Sequence, residues 1–233
     1  MIIGCRAVLV VPTYQEAANL PELLEGIFRS VPDLRVLIVN DASGDGTAEW
    51  LRAHPAYGGR VFLLQRAGKS GFASALCDGY RWALAQDAEI ILQMDADLSH
   101  DPRDLPRLIE ALNDGAGMAI GSRYCPGGAI RHWSRWRRFL SRAAGAYVRI
   151  WTGLPLHDPT AGLRAFRRAV LEAVMSTPKR CDGYGFQVET AHAAWKHGSI
   201  VKEIPVVFSE RREGRSKLSS RIVWEAVLRV PFL

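Results

Sequence analysis

Several common protein classes are excluded by what the sequence has little of. Its 233 residues include only four cysteines, Cys5, Cys77, Cys125 and Cys181, far apart and with no C-x-x-C pair. Neither a zinc knuckle nor a disulfide framework is indicated, and such thiols fit a reducing, cytoplasmic setting. No apolar run approaches the roughly 18 residues that span a bilayer, and the last one is broken by Glu225 and Arg229. Membrane contact is therefore expected to be peripheral. The opening residues Met1 to Arg6 carry no basic n-region, and their apolar character runs on into Val8 to Val11, which reads as a core strand rather than a signal peptide. Gly68-Lys69-Ser70 resembles the end of a phosphate-binding P-loop, but Leu63 stands where that motif needs its first glycine. No G-x-G-x-x-G follows the first strand, so a dinucleotide-binding Rossmann domain loses its main support. Internal repeats, low-complexity segments and linker-like runs are also missing.

What is present is enough apolar residue for a sizeable core, 48% of the chain. The formal net charge is +6, with 24 acidic residues among the charges, so the chain is no polybasic tail and an anionic partner is expected. A phosphorylated substrate, a membrane surface and a nucleic acid all fit that charge. Apolar runs at Ala7 to Val11, Val36 to Val39, Val61 to Leu64, Glu89 to Met94 and Met118 to Ile120 read as strands. Helical patterns follow them: one after Asn19, which is placed to cap it, one over Gly71 to Ala85, and one over Pro102 to Leu112. This alternation predicts an α/β fold with a mostly parallel sheet and helices on both faces. Polar loops at Tyr14, Asp41 and Asp95 then fall at one carboxyl edge of the sheet, where open α/β sheets bind ligands.

The most informative loop is Met94-Asp95-Ala96-Asp97-Leu98-Ser99-His100-Asp101-Pro102, which delivers two carboxylates just beyond a buried strand. A D-x-D at that place suits a divalent cation bound to a diphosphate; Asp101-Pro102 equally suits a helix cap with proline at the first helical position. The Asp41 to Thr47 loop admits a similar pair of readings, nucleotide loop or plain strand-to-helix turn. Between Arg131 and Trp151, arginines 131, 135, 137, 138, 142 and 149 interleave with Trp133, Trp136, Tyr147 and Trp151, a mixture suited to a membrane interface or a nucleic acid. A polar turn at His157 to Arg164 leads to Ala165-Phe166 and a helix through Met175, and Gly183 to Glu189 opens another helix carrying Gln187 and Glu189. Val201 to Phe208 is crossed by Pro205 and so reads as an edge strand. From Ser219, Ile222, Val223, Ala226, Val227 and Val230 share the apolar face of an amphipathic helix. The expected organisation is a catalytic or binding domain over 1–218 and that helix over 219–233.

Seven of these stretches, in order, resemble the dolichol-phosphate (polyprenol-phosphate) mannose synthases, inverting glycosyltransferases with a GT-A, Rossmann-like fold. They are Pro12 to Glu16, Asp41 to Thr47, Asp95 to Pro102, Gly121-Ser122-Arg123-Tyr124, Asp158 to Arg164, Gly185 to Glu189, and Phe208 to Lys217. Two positions depart from the family pattern: Asn40-Asp41 stands for two consecutive aspartates, and Gly71-Phe72-Ala73 for a glycine-leucine-glycine run. The resemblance implies transfer of mannose from GDP-mannose to a polyprenyl or dolichyl monophosphate, with UDP-glucose or another nucleotide sugar as the alternative donor. It implies nucleotide-sugar contacts at Pro12, Tyr14, Glu16, Val39, Asp41, Lys69, Asp95, Ala96, Asp97, Gln187 and Glu189. Asp95 and Asp97 would hold Mg²⁺ or Mn²⁺, Arg123, Arg137, Ser141 and Arg211 would grip the lipid phosphate, and Asp97, Arg123, Arg211 and Lys217 would act in catalysis. It further implies a site at the cytoplasmic face of a membrane, with a transmembrane partner subunit in members that lack their own helices, and no nucleic acid. The reading from outside this class is a basic membrane- or nucleic-acid-binding module in which the aspartates are structural.

Overall fold

The computed structural model describes residues 6–178, 181, 183–210 and 227–233. In chain order, β1 (Ala7–Thr13), α1 (Leu20–Ser30), β2 (Arg35–Asn40), α2 (Thr47–Ala53), β3 (Val61–Gln65), α3 (Phe72–Ala85) and β4 (Ile90–Gln93) form a strictly alternating first half. A 3₁₀ turn at Pro102–Asp104 then leads into α4 (Leu105–Asn113), β5 (Met118–Ser122), β6 (Ala129–Ile130) and α5 (Arg135–Thr152). The chain continues through β7 (Arg164–Arg167), α6 (Arg168–Ser176), α7 (Gly183–Lys196), β8 (Val201–Pro205) and β9 (Val207–Phe208).

Seven strands form one sheet in the order β3-β2-β1-β4-β7-β5-β8, and β6 pairs with β9 in a separate two-stranded ladder. The β1–β4 strands are mutually parallel, as the alternation predicts. Strand β7 is a correction. The sequence reading ran Ala165-Phe166 straight into a helix, whereas Arg164–Arg167 is a strand antiparallel to both β4 and β5. Its signature is masked by Arg164, which is fully buried yet would be read as a solvent residue. The segment from Val201 behaves as an edge, because β8 closes the sheet. It is nonetheless two strands: pairing with β5 ends at Pro205, which has no N–H to continue it, and Val207-Phe208 turn to β6.

The period-2 pattern of β1 divides the core. Leu9 and Val11 join a cluster with Leu20, Leu23, Leu24 and Ile27 of α1 and Leu105, Leu108 and Leu112 of α4. Val8 and Val10 join one with Leu76 and Tyr80 of α3 and Phe186 and Ala191 of α7. Each buried large aliphatic side chain contributes about 1.5–3 kcal/mol, so both faces of the sheet must be covered. Gly79 lets α3 lie flush on the sheet: a Cβ there would stand 2.4 Å from Val10 Cγ1. Asn19 does not cap α1 through its side chain; its amide donates to Glu16 Oε2 at 2.8 Å instead. Of the amphipathic helix expected over 219–233, residues 219–226 lie outside the described residues. Residues 227–229 are helical, and a 3₁₀ turn, Val230–Phe232, buries Val230. Among the described residues, no helix is long and apolar enough to cross a membrane.

Candidate active site

Because β1, β2 and β4 run parallel and side by side, their carboxyl ends present Thr13, Asn40 and Gln93 along one edge. Asp41 N donates to Thr13 O at 2.9 Å, which ties the first two loops together. Asp95 and Asp97 emerge just beyond β4 and line a cleft with Glu16, Arg123, Arg137 and Gln187. Both readings of the D-x-D loop hold at once. Asp101 caps the 3₁₀ turn by accepting from Arg103 N at 3.0 Å, while the two earlier aspartates face the cleft. Asp97 is nearly buried, and its Oδ1 accepts from Ser99 N at 3.2 Å and Ser99 Oγ at 2.5 Å, which fixes the carboxylate's rotation.

On the nucleotide side, Pro12, Glu16 and Ala96 line the cleft. Tyr14 stacks under Lys69, whose Nζ lies 3.8 Å from the ring centroid, so the loop after β3 reaches across to the loop after β1. Asp41 is buried and accepts from Ser70 N at 3.1 Å, Gly71 N at 3.3 Å and the Arg66 guanidinium. Arg66 also donates to Asp78 at 3.0 Å, a partner the sequence reading missed. The Val39 side chain is in the core, leaving its backbone carbonyl, which accepts from Thr13 Oγ1, nearer the loop. Glu189 is buried and accepts from Cys181 N at 3.2 Å, outside the cleft lining.

Elsewhere in the same lining, Arg123 is held in a fork by Asp158: Nε and Nη2 each donate at 2.6 Å, and Arg123 N donates at 2.9 Å. Its guanidinium also stands 5.5 Å from the Trp133 ring centroid and 5.3 Å from that of Phe208. Arg137 lies 4.0 Å from the Trp133 ring centroid and pairs with Glu210 at 2.8 Å. Burial pushes the Asp158 carboxyl up, but the charge and hydrogen bonds of Arg123 outweigh it and hold the group below the usual carboxylate range. Ser141 is one turn beyond Arg137 on α5 and does not line the cleft. Arg211 and Lys217 lie outside the described residues.

Arg164 and Gly162 of the Asp158 to Arg164 stretch join Gln93 and Tyr80 in holding the cleft lining in place. Arg164 Nη1, Nη2 and Nε donate to the backbone carbonyls of Gln187, Pro159 and Ala161 at 2.6 to 2.7 Å, and Nη1 also donates to Thr190 Oγ1 at 2.8 Å. Burial lowers its pKa to about 10, so it remains a cation at neutral pH. Gln93 accepts from Tyr80 OH and donates to Gly162 O at 2.9 Å. Gly162 thus packs directly against the aspartate pair: a Cβ there would stand 2.7 Å from Asp95 Oδ2.

Among the described residues, no three or more His, Cys, Asp or Glu side chains cluster as a self-sufficient metal cage. Two carboxylates suit a cation that completes its shell with diphosphate oxygens and water, as Mg²⁺ and Mn²⁺ do. Gly162→Ala is expected to displace Asp95 and weaken Mn²⁺ binding about 10-fold or more, the usual effect of disturbing a ligand's support. Titration of the purified protein with Mn²⁺ followed by electron paramagnetic resonance checks this; an unchanged affinity would show that Asp95 tolerates the displacement.

A parallel β-α-β half with nucleotide-type loops, an antiparallel strand wedged beside it, and a D-x-D at the junction define a GT-A glycosyltransferase. The chain belongs to glycosyl transferase family 2, whose profile matches residues 8–175. It is 40% identical over 230 residues to the polyprenol monophosphomannose synthase of Mycolicibacterium smegmatis, covering 97% of this chain and 85% of that one. It is 41% identical over 225 residues to the undecaprenyl-phosphate mannosyltransferase of Micrococcus luteus, covering 97% and 92%. A mannosyltransferase from Pyrobaculum calidifontis, solved in complex with GDP-Man and Mn²⁺, superposes with a TM-score of 0.62 at 27% identity, over 91% of this chain and 58% of that one.

Proposed function

We propose that the protein transfers mannose from GDP-mannose to a polyprenyl monophosphate, with inversion at the sugar carbon. The observation that carries this reading is that one cleft is lined both by the Asp95/Asp97 pair and by Arg123 and Arg137. A cleft that gathers carboxylates for a metal diphosphate and arginines for a second anion is built for two phosphorylated reactants. Near-full-length identity of about 40% to enzymes named for polyprenyl phosphates supports the choice of acceptor.

The chemistry follows from the charges. Asp95 and Asp97 would hold Mg²⁺ or Mn²⁺, which would supply Lewis-acid stabilisation of the leaving nucleoside diphosphate. The acceptor monophosphate has a second pKa of about 6 and is already a competent nucleophile near neutral pH, so no general base is required. Positioning is the remaining task, and alignment of reactants is worth roughly 7–11 kcal/mol. Arg123 suits it because Asp158 fixes its guanidinium in one rotamer, and Arg137 because Trp133 supports it from one side.

The long isoprenoid needs an apolar neighbourhood, and α5 supplies one. Ser134 caps this helix by accepting from Arg137 N, and Gly153 ends it in the left-handed region, φ +68°. Over its 18 residues only Gly145 and Val148 are buried. Trp136, Phe139, Leu140, Ile150 and Trp151 are exposed along one stripe, with Trp136 at 66% and Ile150 at 79%, and Arg135, Arg138, Arg142 and Arg149 are exposed beside them. That composition fits the surface of an anionic bilayer, each basic residue adding about 1 kcal/mol. This supports the reading that the enzyme works at a membrane surface beside its acceptor, and we propose the cytoplasmic face.

The test incubates the protein with labelled GDP-mannose or UDP-glucose, polyprenyl phosphate and Mn²⁺, and looks for label in chloroform-soluble lipid. Labelled lipid from GDP-mannose is expected. Arg137→Ala should then raise the KM for polyprenyl phosphate about 10-fold or more while leaving the KM for GDP-mannose unchanged, because a charge-assisted contact to one reactant is lost. Equal loss toward both substrates would remove Arg137 from the acceptor side.

A further inference from the structure

We infer that Gln187 is the residue that reads a hydroxyl of the sugar being transferred. The inference rests on the function proposed above and narrows it to one side chain. Gln187 is only 2% exposed and lines the cleft beside Asp95, Thr160 and Gly162. Both of its amide atoms, Nε2 and Oε1, are buried and have no hydrogen-bond partner. Its backbone, by contrast, is firmly held: the carbonyl accepts from Arg164 Nη1 at 2.6 Å and from Thr190 Oγ1 at 3.1 Å. The side chain therefore stands on a fixed base, with two donor hydrogens and an acceptor oxygen unsatisfied. Buried polar groups in native proteins are almost always paired, so this amide calls for a ligand within the cleft.

The chemistry of that ligand is restricted by the amide's two-sided character. A diphosphate offers acceptors alone and would leave Oε1 unpaired, and an isoprenoid chain offers nothing. A hydroxyl both donates and accepts, and two neighbouring hydroxyls satisfy both ends of an amide together. The nucleotide base carries groups of both kinds, but the Tyr14, Asp41 and Lys69 loops that suit it come from the carboxyl ends of β1, β2 and β3. Gln187 reaches the cleft from α7 and shares its lining with Gly162, where a Cβ would stand 2.7 Å from Asp95 Oδ2. The metal diphosphate at Asp95 and the acceptor phosphate at Arg123 bracket this region, as the leaving group and the nucleophile bracket the sugar. Gln187 is a specificity-determining residue in this arrangement, and it takes no proton from the reaction.

The experiment compares wild type with Gln187→Leu and Gln187→Glu, using GDP-mannose and its 2-, 3-, 4- and 6-deoxy analogues, with polyprenyl phosphate and Mn²⁺. Wild type is expected to use one of the deoxy sugars at least about 10-fold less well in kcat/KM than GDP-mannose, because a site built to bond a hydroxyl is left unpaired without it. Gln187→Leu should abolish that discrimination for the same analogue alone, Gln187→Glu should retain part of it through its remaining oxygen, and inhibition by free GDP should be unchanged in both. The two variants differ in volume and polarity, and circular dichroism establishes which of them is folded. Identical discrimination among the five sugars in wild type and folded variant would overturn the inference while leaving the transfer reaction in place, as would weakened inhibition by GDP. A wild-type protein that transfers no sugar would overturn the functional reading and this inference with it.

Discussion

Asp97→Asn should lower mannosyl transfer by about 1000-fold with the fold intact. The carboxylate has two tasks, and only one of them survives the substitution. Its Oδ1 anchors the loop by accepting from the main chain and hydroxyl of Ser99, and an asparagine oxygen can continue to do so. What is lost is the negative charge that, in the proposed mechanism, would attract a divalent cation together with Asp95. Lewis-acid stabilisation of a leaving diphosphate amounts to several kcal/mol, and about 4 kcal/mol corresponds to the stated factor. Mn²⁺ affinity should fall in parallel, while the thermal midpoint stays within a few degrees. Turnover within 10-fold of wild type would return the aspartates to the structural role that a basic binding module assigns them.

The frame of this site was legible in the sequence because periodicity and loop chemistry coincide there. Val8 to Val11, Val36 to Val39 and Ile90 to Leu92 are apolar runs buried on both faces of a parallel sheet, each followed directly by a polar loop. The Asp95/Asp97 pair accordingly falls at the sheet edge that the pattern predicts. Strand β7 was not legible, since Arg164 in its first position carries a charge that only four hydrogen bonds, invisible to pattern, make tolerable in the core. Nor was the role of Gly162, whose signal is the lack of a Cβ beside the Oδ2 of Asp95, a residue far away in sequence. At Val39, two residues before Asp41, strand alternation sends the side chain into the core, so a contact from this position would have to come from its backbone.

The second large effect concerns Asp158, which gives Arg123 its geometry. Asp158→Ala should destabilise the protein by about 3–5 kcal/mol, because it leaves a buried guanidinium with no carboxylate. The pair is 6% and 1% exposed at the two side chains, so solvent offers little relief. Its pH dependence has a definite sign. The Asp158 carboxyl is held below its ordinary value in the folded protein, so its contribution is complete above about pH 4, the unfolded value. That contribution is lost as pH falls further, through the depressed folded value. Denaturant unfolding should therefore show the gap between wild type and Asp158→Ala narrowing only below about pH 4. Removing both partners separates stability from function. Arg123→Met with Asp158→Ala should recover much of the lost stability, since a buried ion pair replaced by apolar side chains is often neutral, while transfer to polyprenyl phosphate stays as low as in Arg123→Met alone. A double variant that regained transfer would remove Arg123 from the acceptor's phosphate and leave the pair as a brace between β5 and the turn before β7.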